Sequence, residues 1–193
     1  MTLLKTIWQR DGERVVAFGQ GGEVTLAELR RGSLQLARAM ARHAGASQPG
    51  ARWALCFDDS LLFTQALLAC ALGGYQAILP GHQRLAGLQA LQSQFDGLLT
   101  DGEPPGAALA VPQLRLPLLV ADDEREADGA ALPPERLDLT LFSSGSTGEP
   151  KAIPKAWPQL EAELRVQMAL WGERMAGTRV LASVSHQHIY GLL

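Results

Sequence analysis

Residues 143–151 combine hydroxyl side chains, glycines and one lysine in a single short stretch, SSGSTGEPK. Gly145 and Gly148 permit backbone angles and close approaches that a Cβ atom would prevent, so successive N–H groups can hold phosphate oxygens. Lys151 adds a mobile positive charge. Hydrogen bonds to a charged phosphate contribute about 1.5–3 kcal/mol each, so three or four of them can hold a triphosphate. The stretch therefore predicts a phosphate-binding loop, and its hydroxyl donors are Ser143, Ser144, Ser146 and Thr147.

Three other chemistries fit this stretch poorly. The phosphate loop of nucleoside triphosphatases needs Gly-Lys-Ser/Thr followed at once by a helix, whereas here Lys151 follows Pro150 and Pro154 prevents a helix. The nucleophile elbow of serine hydrolases needs Gly-x-Ser-x-Gly, whereas the order here is Gly-Ser-Thr-Gly. A phosphotransferase is weakened by the same missing Gly-Lys-Ser/Thr order.

The loop lies between two short extended segments. The helices and strands that position it must therefore come mainly from the residues before it. Thr25 and Glu28 form a capping box that begins a helix, which we expect to run to about His43. One side of this helix is apolar, with Leu29, Leu36, Ala37, Met40 and Ala41, and the other carries Arg31, Arg38 and Arg42. The basic side is open to two interpretations, a phosphate-facing patch or a solvated helix face, and the second is favoured.

From Arg52 onward the pattern indicates strand, helix, strand. WALCF is a compact apolar run, Asp58-Asp59-Ser60 offers a helix cap, LLFTQALLACAL is helical, and YQAIL is a second compact run after Gly73-Gly74. Two apolar strands joined by such a helix should be parallel neighbours, because only a crossover returns the chain in the same direction. The sequence therefore predicts an α/β fold with a mostly parallel sheet flanked by helices.

We expect the same sheet to continue through a helix at 85–92 and a short strand at 96–100. Prolines then break the chain, and LRLPLLV is the only strand candidate before the acidic stretch ADDEREADG. Asp122 and Asp123 follow apolar residues, as the metal-binding aspartate does at a strand end of nucleoside triphosphatases. A solvated turn is the preferred interpretation.

Composition excludes several classes of protein. The 193 residues predict one domain, the net charge is -3, and no basic block suggests nucleic-acid binding. Cys56 and Cys70 lie in no metal-ligand spacing, and we expect them to be small buried fillers. The longest apolar stretch, at 61–72, is short of the roughly 20 residues that a membrane helix needs, and the start shows no signal-peptide pattern. We expect a soluble, cytoplasmic protein in a reducing compartment, without membrane or nucleic-acid partners.

SSGSTGEPK resembles the signature phosphate loop of the AMP-forming, acyl-adenylating ligases, the superfamily of acyl- and aryl-CoA synthetases, peptide-synthetase adenylation domains and luciferase. In that superfamily an HxxG-like motif follows about 35–45 residues later. This chain has RVLASVSHQHIYGLL there, with His188 and Gly191 at the ends of HIYG. The resemblance covers the chain from the first helix to residue 193 and implies the N-terminal subdomain of such a ligase.

The resemblance implies two chemical steps. A carboxylate attacks the α-phosphate of ATP to give an acyl-adenylate and pyrophosphate, and a thiol of coenzyme A or of carrier-protein phosphopantetheine then displaces AMP. The residues implied to hold the β- and γ-phosphates with Mg²⁺ are Ser143, Ser144, Gly145, Ser146, Thr147, Gly148 and Lys151, with Thr147 nearest the metal. Lys151 is also implied to act in catalysis, because neutralising the charge on departing pyrophosphate lowers the barrier.

Among the histidines, His188 resembles the superfamily residue that borders the acyl or aryl pocket near the α-phosphate, and it is the second residue implied to act in catalysis. The alternative is a hydrogen-bonded histidine at a strand-to-helix junction. His186 and Tyr190 are weaker candidates. We expect His43 and His82 to be surface residues.

The segment LFSSGSTGEPKAIPKAW, followed by SVSHQHIYGLL, resembles the corresponding sequences of the bacterial ligases of aryl-polyene and xanthomonadin-type pigment pathways. This implies an aromatic or hydroxyaryl acid as substrate. The superfamily resemblance alone implies a small carboxylic acid, acyl or aryl, with coenzyme A or an acyl carrier protein as acceptor.

Such ligases run to several hundred residues, whereas this chain has 193. The resemblance therefore implies that residues 1–193 are a truncated piece, without the adenine-binding half and the mobile C-terminal domain, and inactive alone. We also expect an exposed apolar face where the missing half would pack. The alternative function is a complete, non-catalytic phosphate- or nucleotide-binding module.

Overall fold

The computed structural model describes residues 3–19, 21–118, 136–144, 150–186 and 189–192. Its α-helices are α1 (Leu3–Trp8), α2 (Leu26–Ala41), α3 (Ser60–Gly73), α4 (Leu85–Ala90), α5 (Trp157–Met175) and α6 (Ile189–Leu192). Its strands are β1 (Val15–Gly19), β2 (Gly22–Thr25), β3 (Arg52–Cys56), β4 (Gln76–Leu79), β5 (Gly97–Thr100), β6 (Gln113–Arg115), β7 (Asp138–Ser144) and β8 (Pro150–Ala156).

Six strands form the central sheet, in the order β6-β5-β3-β4-β7-β8. The first five in this order are parallel, and β8 alone runs antiparallel, to β7. The predicted mostly parallel α/β sheet is therefore confirmed, including the pairing of the two apolar runs at 52–56 and 76–79 as parallel neighbours.

Helix α2 begins as its sequence predicts. The Glu28 carboxylate accepts a hydrogen bond from the Thr25 amide at 2.7 Å, and the Glu28 amide donates to the Thr25 hydroxyl at 3.3 Å. These bonds satisfy two amides that a helix start leaves open. The helix ends at Ala41, two residues earlier than expected, and Ala41 is exposed although it was assigned to the apolar side.

Helix α3 is bounded by its own sequence signals. The Asp59 carboxylate accepts hydrogen bonds from the amides of Leu61 and Leu62 at 2.8 and 2.9 Å. At the other end Gly74 adopts φ 67°, a left-handed conformation that costs a residue without Cβ very little. The chain can therefore turn directly into β4.

The helices cover both faces of the sheet. On one face Trp53 and Leu55 of β3 share a buried cluster with Phe63 of α3, together with residues of α2 and α5. On the other face Ala54 and Cys56 share a second cluster with α4. Side chains alternate across a strand, so β3 serves both clusters.

The amino ends of two sheet strands are fastened by one ion pair. Both carboxylate oxygens of Asp96, just before β5, accept from the Arg52 guanidinium, at 2.8 and 3.1 Å. The Arg52 amide also donates to Asp96 at 2.9 Å. The hydrogen bond from the guanidinium holds the pKa of the Asp96 carboxyl below its usual range.

Several elements differ from prediction. Helix α4 ends at Ala90, and β6 covers only 113–115. The hairpin of β1 and β2 was not predicted, and it forms a separate two-stranded sheet. The acidic stretch with Asp122 and Asp123 lies outside the described residues. In the part of the chain that is described, we find no helix with the length and apolarity needed to cross a membrane.

Candidate functional site

The predicted phosphate loop is framed by an antiparallel hairpin. Ser143 at the end of β7 pairs with Lys151 near the start of β8, and Ser144 pairs with Pro150. The side chains of Ser143 and Lys151 are exposed. Strand β8 after the loop agrees with the prediction that Lys151 is not followed by a helix. The hairpin brings the two ends of the loop together.

The loop itself lies outside the described residues. Gly145, Ser146, Thr147 and Gly148 fall in 145–149, and the side chain of Ser144 is not described either. Their contacts with phosphate, and the role of Thr147 toward a metal, stay predictions. In the described ranges no group of three or more His, Cys, Asp or Glu side chains is arranged to hold a metal ion.

The hairpin leaves the sheet at the carboxyl edge of the parallel strands, beside the chain that follows β4. Gly81 adopts φ +78°, and a Cβ built on it would lie 2.8 Å from the carbonyl oxygen of Phe142 in β7. Only glycine permits both this backbone conformation and this approach. The segment after β4 is therefore fixed against the strand that leads into the predicted loop.

This carboxyl edge contains the topological switch point of the sheet. The helix that follows β3 packs on one face, and the helix that follows β4 packs on the other. The two connections therefore diverge and leave a crevice between the ends of neighbouring strands. In open α/β sheets ligands bind in such a crevice.

An open cleft of about 490 Å³ occupies this position. That volume falls within the range of about 300–1,000 Å³ typical of small-molecule sites. Its lining comes from the segments after β3 and β4 and from the chain before α6: Asp58, His82, Gln83, Arg84 and Ser185. These residues were not predicted as a group, and His82 is exposed as expected. The signal that could have found Asp58 and residues 82–84 is their common place after parallel strands, whereas Ser185 lies before α6 and had no such signal.

At this edge a carboxylate that follows the neighbouring strand β5 binds the backbone just before α3. Asp101, directly after β5, accepts hydrogen bonds from the amides of Asp58 and Asp59 at 2.9 and 2.8 Å. These amides precede α3, where helices attract anions. The Asp101 carboxylate therefore already occupies the anion-attracting position at the start of α3.

The HIYG region is anchored to the same edge through His186. Its Nε2 lies 3.0 Å from the carbonyl oxygen of Phe57, and its ring lies 4.4 Å from that of Phe63 between centroids. His188, the predicted pocket residue, lies outside the described residues, and the side chain of Tyr190 is not described. His186 therefore contacts Phe57 and Phe63, and the sequence alone did not predict these contacts.

Gly191 has a steric reason to be glycine. A Cβ built on it would lie 2.2 Å from the Ser185 carbonyl oxygen and 2.8 Å from that of Val184. The turn of α6 therefore packs directly on the chain at 184–185. Ser185 in turn lines the cleft.

The two cysteines are packing residues, as expected. Cys56 and Cys70 are buried free thiols. Burial raises the pKa of Cys56 to about 12 and also raises that of Cys70. Neither thiol is a nucleophile at neutral pH, since the thiolate is the reactive form. His43, expected at the surface, is half-buried, with its ring edge on Trp53.

Comparisons with known proteins agree with this architecture. No protein-family model matches the chain. A nonribosomal peptide synthetase, aneB of Aspergillus aculeatus, is 33% identical over 141 residues, which are 67% of this chain and 13% of that protein.

Solved structures of coenzyme A synthetases and related proteins match nearly the whole chain, and two of them illustrate the match. The o-succinylbenzoate coenzyme A synthetase MenE of Bacillus subtilis, with ATP and magnesium, superposes with a TM-score of 0.69 at 23% identity, over 98% of this chain and 52% of that one. ATP-bound MatB of Rhodopseudomonas palustris superposes with a TM-score of 0.77 at 20% identity, over 100% of this chain and 42% of that one. The chain thus spans about half or less of these proteins. It has the fold of the N-terminal subdomain of the AMP-forming acyl-adenylating ligases and resembles that superfamily in sequence.

Proposed function

We propose that residues 1–193 form the N-terminal part of a longer acid:thiol ligase. In the first reaction a carboxylate oxygen bonds to the α-phosphorus of ATP, the bond from that phosphorus to the bridging oxygen breaks, and pyrophosphate leaves. In the second, a thiol sulfur bonds to the acyl carbon, AMP leaves, and the thiol proton passes to water. The product is a thioester.

The observation that carries this proposal is the hairpin that joins Ser143 to Lys151 across the predicted loop. A loop closed by paired strands has both ends fixed, so its amides and hydroxyls need less ordering when phosphate binds. Lys151 stands at the mouth, exposed, and its ammonium can approach an anion held by the loop. This arrangement suits the charge that grows on a pyrophosphate leaving group.

The proposed ligands of the triphosphate are Ser143, Ser144, Gly145, Ser146, Thr147, Gly148 and Lys151. Thr147 offers the hard oxygen that Mg²⁺ prefers, and the ion would neutralise charge on the phosphates. We propose that His188 borders the acyl pocket. His186, through its contact with Phe57, then fastens the neighbouring chain to the sheet.

For the substrate we propose an aryl or hydroxyaryl acid, on the resemblance of the two motifs to the pigment-pathway ligases. MenE is named for an aryl acid, which is compatible with that choice. For the acceptor we propose coenzyme A or the phosphopantetheine of a carrier protein. We propose that the chain by itself does not catalyse adenylation, because it spans about half of the MenE chain.

The test is ATP–pyrophosphate exchange with a panel of aryl and aliphatic acids, run on the longer protein that contains this chain and on the chain alone. We expect exchange that depends on one class of acid and is silent in the chain alone. Lys151→Ala should lower exchange by about 10²–10³-fold. Lys155→Ala, on the same strand, is the matched control and should have little effect. Tight Mg-ATP binding by the chain alone, without exchange for any acid in either protein, would instead support a non-catalytic binding module.

A further inference from the structure

Helix α2 begins at the carboxyl edge of the sheet, the edge that leads into the predicted loop. A Cβ built on Gly32, in the first half of α2, would lie 2.8 Å from the side chain of Gln65, in the first half of α3. Beyond the other end of α2, the ring of His43 lies against Trp53 at the amino end of β3. Helices α2 and α3 therefore run side by side in the same direction, and both start at the edge of the candidate site.

The turn at residues 10–14 is fastened to the start of α2. The first two amides of α2 donate to the carbonyls of Arg14 and Gly12, at 2.8 and 2.9 Å. The Arg30 guanidinium, also on α2, donates to the Arg10 carbonyl at 2.7 Å. The backbone of the turn is thus fixed, and the side chains of Arg10 and Arg14 extend from defined places.

Four exposed arginines on this turn and on the outer side of α2 form the basic surface: Arg10, Arg14, Arg31 and Arg38. Arg31 interacts electrostatically with the Glu28 carboxylate. Within the described ranges, the guanidinium groups of the other three make no hydrogen bond or ion pair. Their donors are therefore available to a partner.

The charge of the basic surface is not balanced locally. Residues 9–14 and 26–42 contain six arginines and three carboxylates. Of these carboxylates, Asp11 accepts from the Glu13 amide at 3.1 Å, and Glu28 caps α2. Arginines elsewhere do pair with acidic side chains, as in Arg52–Asp96, Arg115–Glu103, Arg136–Asp138, Arg165–Glu161 and Arg179–Glu23. Positive charge is thus concentrated on one surface of a chain whose net charge is -3.

The spacing of these groups fits carboxylates on a helix. Arg31 and Arg38 are two helical turns apart, about 10 Å along the axis, so a helix lying alongside can present carboxylates at the same interval. A guanidinium fork matches the two oxygens of a carboxylate. An open cleft of about 490 Å³ between the side chains of residues 10–14 offers room for one more acidic side chain. The interspersed carboxylates disfavour a nucleic acid, whose backbone is negative along its whole length.

We propose that the basic surface docks an acidic helix of a partner protein. Arg31 and Arg38 contact carboxylates two turns apart, and Arg10 and Arg14 contact the end of that helix nearer the candidate site. Docking here goes beyond the proposed function and does not depend on it, since this surface shares no residue with the predicted loop or acyl pocket. Exposed charge pairs of this kind are screened by salt, so the affinity should fall as ionic strength rises.

The test is fluorescence anisotropy of a labelled, alanine-rich helical peptide with glutamates two turns apart along one face, titrated with this chain at low salt. We expect the double variant Arg31→Gln, Arg38→Gln to weaken binding by about fivefold. The matched control is the double variant Arg115→Gln, Arg174→Gln, which removes the same charge from exposed positions on β6 and α5 and should bind like the parent chain. Circular dichroism checks that both variants are folded.

A peptide of the same composition with its glutamates spread around the helix should bind more weakly. No binding of the first peptide, equal binding of the two peptides, or an equal loss in the two double variants overturns the proposal, because bulk charge then explains any affinity. Tighter binding of a single-stranded oligonucleotide, with the same dependence on Arg31 and Arg38, overturns it in favour of a nucleic-acid partner. If ATP–pyrophosphate exchange fails in the longer protein while the arginine-dependent binding persists, the proposed function fails and the docking surface stands.

Discussion

The carboxylate of Asp101 accepts a hydrogen bond from the amide of Asp58 at 2.9 Å, across the carboxyl ends of two parallel strands. It also accepts from the next amide, that of Asp59, at 2.8 Å. One side chain therefore ties the end of β5 to the start of α3 and occupies an anion-attracting position.

Asp101→Ala should lower the free energy of unfolding by about 1–2 kcal/mol, because two amides at a helix start lose their acceptor. Urea denaturation followed by circular dichroism measures this change. Glu103→Ala is the control, since the Glu103 side chain is 85% exposed and its bond to Arg115 is a surface ion pair. A loss no larger than the control's would contradict the proposed tie.

Asp96→Asn should destabilise the fold at neutral pH by about 1–2 kcal/mol, because the Arg52 guanidinium loses its ionised partner. The pKa of Asp96 is lowered in the folded state. Its stabilisation is therefore present above the unfolded pKa of about 3.9 and is lost as the pH falls through the folded pKa. Urea midpoints of the two proteins should differ at pH 7 and converge as the pH falls through the lowered pKa of Asp96. A difference that is constant across pH would argue against an ionic contribution.

Trp171→Glu should reduce self-association of the isolated chain. On α5 one apolar stripe begins buried, with Trp157 and Leu160. It continues into solvent as Met168, Trp171 and Met175, which are 50–57% exposed. An apolar stripe of this kind promotes association. Sedimentation equilibrium at increasing concentration should show a smaller mean mass for the variant, whereas Glu173→Gln should match the parent chain. Equal mean masses of the variant and the parent chain would show that the stripe does not promote self-association.

Gly191→Ala should release α6 from its packing on Val184 and Ser185, because the new Cβ would meet the Ser185 carbonyl oxygen at 2.2 Å. Amide hydrogen exchange in that region should become at least about tenfold faster. Gly172→Ala is the matched control. Gly172 lies within α5, and a Cβ added to it would have no heavy atom nearer than 4.0 Å. That control should stabilise the helix by about 0.5–1 kcal/mol. Unchanged exchange in Gly191→Ala would refute the steric explanation.

Cys56 and Cys70 should not react with a thiol reagent in the native protein at pH 8, because both are buried and the pKa of Cys56 is raised to about 12. Both should react within seconds in 6 M guanidinium, where thiols regain a pKa of about 8.5. Ellman's reagent gives the two rates. Rapid native reaction of either thiol would show that the sheet opens locally near it.

The sequence by itself determined the elements whose signals are local. A capping box, a left-handed glycine and a run of apolar residues act within a few residues of chain, so α2, α3 and the two strands that flank α3 could be predicted, together with the parallel pairing of those strands. The glycine and hydroxyl content of residues 143–151 likewise predicts a phosphate-binding loop, and its phosphate contacts stay a prediction. The hairpin of β1 and β2 lacked such a signal and was missed.

Only the tertiary structure decided which distant residues meet at the carboxyl edge of the sheet. Asp58, Arg84 and Ser185 are far apart in the sequence and line one cleft. Their meeting depends on strand order, on the faces taken by α3 and α4, and on close approaches at Gly81 and Gly191. Such relationships arise from long-range packing, which the composition of a single segment does not encode.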